Sequence, residues 1–251
     1  MSNLSDMPEE LKFFITAPHG CSYLDGRMAV TLFADPERKL EQGSFSALHE
    51  MGFRRSGCLV YTPRCPECSA CIPTRIPVND FRPDRSQRRN LKTNQDLTLR
   101  LCGPNFSDAH IELYRRYVSN RHPGDSMDVQ NREEIERFFL CDWSNTFLME
   151  FEKNGKVLAV AVVDVVNSGL SAVYTFFDPA ESRRGLGVFA VLSMIEETKR
   201  RDLPYLYLGY LIHESPKMAY KGRYQPLEEH RDGMWLREGY NTPMDFDLSL
   251  D

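Results

Sequence analysis

No apolar run in the chain approaches the roughly 18 residues needed to cross a bilayer, so no membrane-spanning helix is expected. The opening stretch, MSNLSDMPEELKFF, has neither the basic start nor the apolar core of an export signal, and the expected address is the cytosol. Several catalytic signatures are missing: G-x-S-x-G, H-E-x-x-H, a P-loop lysine and a complete G-x-G-x-x-G between a strand and a helix. Hydrolase and nucleotide-kinase chemistries lose their usual anchors. A net charge of −5 withholds the general positive field of a protein wrapped in nucleic acid. An even set of cysteines is also lacking. The seven present, unevenly spread, read as reduced thiols or ligands rather than a disulfide framework, with Cys102 and Cys141 expected in the core.

What is present supports a globular protein: 251 residues, 41% hydrophobic, can build one large or two moderate domains. Residues 1–95 look irregular and proline-rich, with a turn at Asp35-Pro36, a short helix from Ser44 to Met51 stopped by Gly52, and a stretch at 28–34 that fits strand or helix. From residue 96 the pattern is regular. A strand at 96–102 precedes helices capped by Ser107 and by Asn131, the latter with Glu134 at capping-box spacing. Three strand-like runs at 146–152, 156–166 and 169–178, joined by Asn154-Gly155 and Ser168-Gly169, form a meander. A glycine-bearing turn, a helix and a buried strand at 203–212 follow. The expectation is an α+β fold: a smaller cysteine-containing N-terminal α+β domain at 1–95 and a mixed sheet with flanking helices at 96–251.

Four stretches carry chemistry. Cys65, Cys68 and Cys71, spaced C-x2-C-x2-C in a proline-rich loop, can converge on a zinc ion or an iron–sulfur cluster. Cys21 is the nearest fourth ligand, with Cys58 or His19 behind it; metal-free packing of the thiols is the alternative. The strip FRPDRSQRRNLK suits phosphates through Arg85, Arg88 and Arg89. The turn Arg183-Arg184-Gly185-Leu186-Gly187, at a strand-to-helix junction, favours an anion or serves tight packing. With the meander before it, this turn resembles the acyltransferase fold that acetylates amines from coenzyme A (GNAT-like), although Ser182 stands where that signature has Gln or Arg. In the fourth stretch, Lys217, Tyr220, Lys221, Arg223 and Tyr224 follow the last strand, where ammonium and phenol groups can receive an anion.

Taken together, HGCSYLDGRMAVTLFADP, GFRRSG, YTPRCPECSACIPTRI, FRPDRSQRRN, LYRRYVSNRHPGDSM, GLSAVYTFFDP, RRGLGVFAVL, PYLYLGYLIHESPKMAYKGRYQPLE and Trp235 resemble the bacterial aspartate/glutamate leucyltransferases, relatives of the arginyl-tRNA–protein transferases. That resemblance implies transfer of leucine from leucyl-tRNA to proteins with N-terminal Asp or Glu, marking them for degradation, with no cofactor required for the chemistry. On it, Arg85, Arg88, Arg89, Arg183 and Arg184 are expected to face the tRNA. Lys217, Tyr220 and Lys221, with Arg27 and Arg75, are expected around the acidic acceptor, and Tyr174, Asp178 and Tyr210 at the reaction centre. Two other readings use the same features: a coenzyme A-dependent N-acetyltransferase, and a non-catalytic zinc-containing RNA-binding module.

Overall fold

The computed structural model describes residues 11–121 and 131–237; residues 122–127 of the LYRRYVSNRHPGDSM stretch and most of the opening MSNLSDMPEELKFF lie outside that range. The chain runs β1 (Phe13–Ile15), β2 (His19–Gly20), β3 (Met28–Ala29), β4 (Thr31–Ala34), α1 (Gln42–Glu50), β5 (Arg54–Ser56), β6 (Leu59–Pro63), β7 (Ile72–Pro77) and α2 (Arg85–Thr93). It continues through β8 (Thr98–Cys102), α3 (Asp108–Arg121), α4 (Arg132–Phe139), β9 (Thr146–Lys153), β10 (Lys156–Val166), β11 (Gly169–Phe177), α5 (Leu186–Arg200), β12 (Tyr205–Leu211), β13 (Glu228–Arg231) and β14 (Met234–Arg237). Single 3₁₀ segments, Pro179–Arg184 and Ala219–Arg223, precede α5 and β13.

Two sheets dominate this α+β fold. The smaller is antiparallel in the order β1-β4-β6-β5; the larger has eight strands in the order β14-β13-β7-β12-β11-β10-β9-β8. Every pairing in the larger sheet is antiparallel except β11 with β12, whose parallel course requires the crossover through α5. The stretch at 28–34 resolves as strands β3 and β4, and the meander forms as expected. Asn131 caps α4 through the Glu133 amide, not the Glu134 amide of a capping box. Strand β7 and helix α2, both before residue 95, belong with the larger sheet rather than the smaller one.

Strand β10 explains how the larger sheet is filled. Its run KVLAVAVVDVV is apolar without alternation because both faces are covered. Val160 and Val162 pack with Tyr114, Ile135 and Phe139 of α3 and α4, whereas Ala159, Ala161 and Val163 pack with Ala190, Met194 and Ile195 of α5. A third apolar cluster, including Phe45, Leu48 and Phe53, fastens the smaller sheet and α1 onto Val166 and Tyr207 of the larger one. Among the described residues no helix is long and apolar enough to cross a membrane.

Candidate functional site

The larger sheet is split at its centre. Strands β11 and β12 pair only from Gly169–Tyr205 to Ser171–Tyr207, and their later residues diverge. Arg54, from β5, wedges into the opening. Its Nη1 donates to Ser171 Oγ and to His49 Nε2, each at 2.9 Å, and its Nη2 donates to the Ala172 carbonyl at 2.5 Å. Burial first, then the Arg54 charge, pushes the His49 pKa well down, so this imidazole is neutral and accepts the guanidinium proton. On the other side of the wedge, Gly209 has φ +83°, and a Cβ there would stand 3.3 Å from Arg54 Nε; glycine both adopts the conformation and leaves the room.

Beyond the wedge lies a recess. Lys221 is 5% exposed; its Nζ donates to the Tyr210 carbonyl at 2.6 Å and to Met218 Sδ at 3.6 Å, and lies 5.6 Å from the centre of the Tyr220 ring. Burial, reinforced by the Arg54 charge, lowers its pKa to about 7. Tyr23 and Tyr220 keep 36% and 40% of their surface open, yet burial raises both phenol pKa values, the combination expected of side chains in a concavity. Burial likewise raises those of Tyr61 and Tyr210. All four phenols feel the Arg54 charge, so the guanidinium lies within electrostatic reach of the hollow these tyrosines line.

The basic strip forms α2 and adjoins the recess. Asp84 and Gln87 make a reciprocal capping box that starts the helix, and Gln87 Nε2 also donates to the Arg223 carbonyl at 3.1 Å. One turn on, Asn90 Nδ2 donates to the carbonyls of Arg184 and Gly185 at 2.9 and 3.1 Å, and Asn94 Nδ2 donates to the Arg184 carbonyl at 2.9 Å. Gly185, at φ +60°, is the residue this packing requires, since a Cβ would come within 2.7 Å of Asn90 Nδ2. One helix thus touches both the glycine turn and the segment that holds Lys221.

The expected site residues divide into those left available and those committed. Arg85, Arg88, Arg89, Arg183 and Lys217 are exposed, and Arg88 also donates to the Pro83 carbonyl. Arg184 is committed, bidentate to Asp96 at 2.9 and 3.0 Å and bonded to Glu181 at 3.0 Å. Arg75 lies between Glu50 and Glu228, at 3.1 and 2.8 Å, and stacks over the rings of Tyr205 and Trp235. Tyr210 donates its hydroxyl to the carbonyls of Gly52 and Tyr61. Burial pushes the Asp178 pKa up, but Lys156 at 2.7 Å and the Ala180 amide outweigh that and hold it below the usual range. Asp178 lines an open groove of about 410 Å³ with Arg116, Ser119 and Asn120. Tyr174 packs against Tyr117, Phe138 and Phe139, and Tyr117 in turn lies within electrostatic reach of Tyr220.

The cysteines differ from expectation. Cys58 and Cys141, expected as thiols, form a disulfide between the turn after β5 and the loop after α4, because the fold brings their Cα atoms to 5.2 Å across 83 residues. Cys21, Cys65, Cys68 and Cys71 are neighbours: burial first, then each of the other three thiols, raises the Cys71 pKa to about 12. Their sulfurs have other partners: Val30 N–H donates to Cys65 Sγ at 3.4 Å, and Arg27 Nη1 donates to Cys68 Sγ at 3.3 Å. Among the described residues, three metal-ligating side chains bring their ligand atoms within 4.8 Å of one another at Cys58, Cys141 and Asp142, a set that includes the disulfide, and not at these four. The geometry therefore gives no support to a closed zinc or iron–sulfur ligand set.

Arg54, Tyr23 and Tyr61 do not stand out in the sequence as site residues. Paired arginines in a short segment between Gly52 and Gly57, with no acid inside it, are the one signal, and it points to Arg54 alone.

The chain with this split mixed sheet and basic helix is of the arginine-tRNA–protein transferase class: residues 19–89 match the family described as "Arginine-tRNA-protein transferase, N terminus", and residues 109–231 the family described as its C terminus. Curated relatives named aspartate/glutamate leucyltransferase are 49% identical in Alcanivorax borkumensis, covering 91% of this chain and 94% of that one, and 48% identical in Thiobacillus denitrificans, covering 90% and 95%. The chain belongs to the aspartate/glutamate leucyltransferase family. The solved structure of L-PGS from Bacillus licheniformis overlaps more remotely, with a TM-score of 0.48 and 11% identity over 78% of this chain and 63% of that one.

Proposed function

We propose that the protein transfers leucine from the ester of leucyl-tRNA to the free α-amine of proteins beginning with aspartate or glutamate, creating a degradation signal in the cytoplasm. The amine nitrogen attacks the ester carbonyl, a C–N bond forms, the ester C–O bond breaks, and the terminal ribose hydroxyl of the tRNA leaves. The amine has a pKa of about 8, so roughly a tenth is neutral at pH 7 and alignment matters more than a strong base. Aminolysis of an activated ester needs no cofactor.

The observation that carries this reading, beside the family, is the double anchorage of α2 to the glycine turn and to the Lys221 segment. Phosphates held along Arg85, Arg88, Arg89 and Arg183 bring the acylated 3′ end to the recess. Arg184 supports that surface from beneath through Asp96 rather than touching RNA. Tyr210 and Asp178 shape the site, the phenol bonded to carbonyls and the carboxylate held by Lys156, while Tyr174 backs it from the aromatic cluster. Incubating the protein with charged leucyl-tRNA and an aspartate-initiated peptide, then weighing the peptide, tests the reading: a leucine adduct is expected. Acetylation from acetyl-coenzyme A in its place, or tight RNA binding without turnover, would replace it.

A further inference from the structure

We propose that Arg54 and Lys221 together receive the carboxylate of the acceptor's first side chain in the hollow lined by Tyr23, Tyr61 and Tyr220. This rests on the transfer reaction proposed above and supplies its specificity device.

The starting point is a missing charge. Arg54 is 8% exposed and Lys221 5%, yet every hydrogen-bond partner of either among the described residues is neutral: Ser171, Ala172 and His49 for the arginine, the Tyr210 carbonyl and Met218 for the lysine. Other arginines withdrawn from solvent have their acids. Arg55 has Asp164, Arg75 has Glu50 and Glu228, and Arg184 has Asp96 and Glu181. A buried cation without an anion is costly, and two facing one hollow are costlier because each repels the other. The lowered Lys221 pKa is the mark of that burial first and of the repulsion second. An incoming carboxylate removes both penalties at once.

Donors are available to hold it. A guanidinium has five N–H groups, three of which Arg54 directs to His49, Ser171 and Ala172; an ammonium has three, two of which Lys221 directs to Tyr210 and Met218. Two donors on one side and one on the other remain for a carboxylate, which accepts up to about four. The way in passes Tyr23 and Tyr220, the most open of the tyrosines that line the hollow. An uncharged asparagine or glutamine of the same shape would leave both cations unpaired, so the hollow selects for charge and not for shape.

The test compares peptides beginning with aspartate and with asparagine in steady-state leucine transfer. In Lys221→Met, the KM for the aspartate peptide is expected to rise about thirtyfold or more, in line with removing one partner of a buried charge pair. The preference for aspartate over asparagine should fall at least tenfold, while the KM for leucyl-tRNA and the melting temperature do not worsen. A structural role alone would not move that preference. Arg54→Gln should act the same way; should it fail to fold, Lys221→Met still decides. Wild-type KM and preference in Lys221→Met would overturn the proposal and leave the transfer reaction standing. Calorimetric binding of the aspartate peptide to the wild-type protein without tRNA, abolished in Lys221→Met, would support the hollow even if no leucine were transferred, and that outcome would sink the reaction instead.

Discussion

Arg54 and Arg55 are consecutive residues of β5, and a strand sends consecutive side chains to opposite faces. On one face, Arg55 meets Asp164 in a bidentate pair at 2.5 and 2.6 Å and donates to the carbonyls of Gly57 and Phe139 and to Thr146 Oγ1, so its charge and all five donors are satisfied. On the other face, Arg54 reaches the split between β11 and β12, where its partners are neutral. Both side chains are buried and both join the smaller sheet to the larger. The difference is the anion: where the fold provides its own, the arginine is a rivet; where it does not, the unmatched charge is the site.

That contrast can be broken at several points. The largest effect is expected at the rivet: Asp164→Ala leaves Arg55 charged and unpaired, and urea unfolding should show a loss of about 3–5 kcal/mol. Lys221→Met removes an uncompensated cation from the opposite region and should stabilise, on the order of 1–4 kcal/mol. The sign can be followed with pH. The native pKa of about 7 lies below the ordinary 10.5, so the native state binds fewer protons than the unfolded one between those values, and wild-type stability climbs over that window. The advantage of Lys221→Met is therefore greatest below pH 7 and gone above 10.5; a difference independent of pH would show that Lys221 is not the cause.

A smaller effect sharpens the comparison of the hollow with the exposed basic face. Replacing Arg88 and Arg89 by alanine should weaken tRNA binding and reduce the salt slope by roughly 0.7–0.9 for each phosphate no longer neutralised, with acceptor preference untouched. An unchanged slope would remove α2 from the RNA surface. The smallest effect belongs to Asp178. Its native pKa is depressed, so its contribution to stability is present above the unfolded value and fades as pH falls through the native one. Asp178→Asn should flatten the acid limb of the stability curve by less than about 1 kcal/mol, since Lys156 is exposed; superimposable curves would mean that the ion pair is idle.

Much of the molecule is legible from local pattern. The Asn154-Gly155 turn, the Ser107 and Asn131 caps and the continuous apolar run of β10 announce the meander and its helices, because each depends on residues a few positions apart. The strip at 82–92 announces its charge but not its helix, which the structure adds through the Asp84–Gln87 capping box. Commitment is not legible. Arg183 and Arg184 read alike, yet Asp96, 88 residues away, takes one of them. Tyr210 and Arg75 look available in sequence, but the carbonyls of Gly52 and Tyr61 and the acids Glu50 and Glu228 close around them. Cys58 and Cys141 likewise meet across 83 residues.

Sequence by itself determined most elements from residue 96 to 212, the family and the two concentrations of positive charge, since periodicity, caps and composition act over short distances along the chain. Tertiary structure decided which of those charges are matched. Acids 88 to 153 residues away bond to Arg184, Arg55 and Arg75, beside nearer ones for the first and last, whereas among the described residues no acid bonds to Arg54 or Lys221. Charge balance in a low-dielectric interior depends on neighbours in space, and those exist once the two sheets have come together.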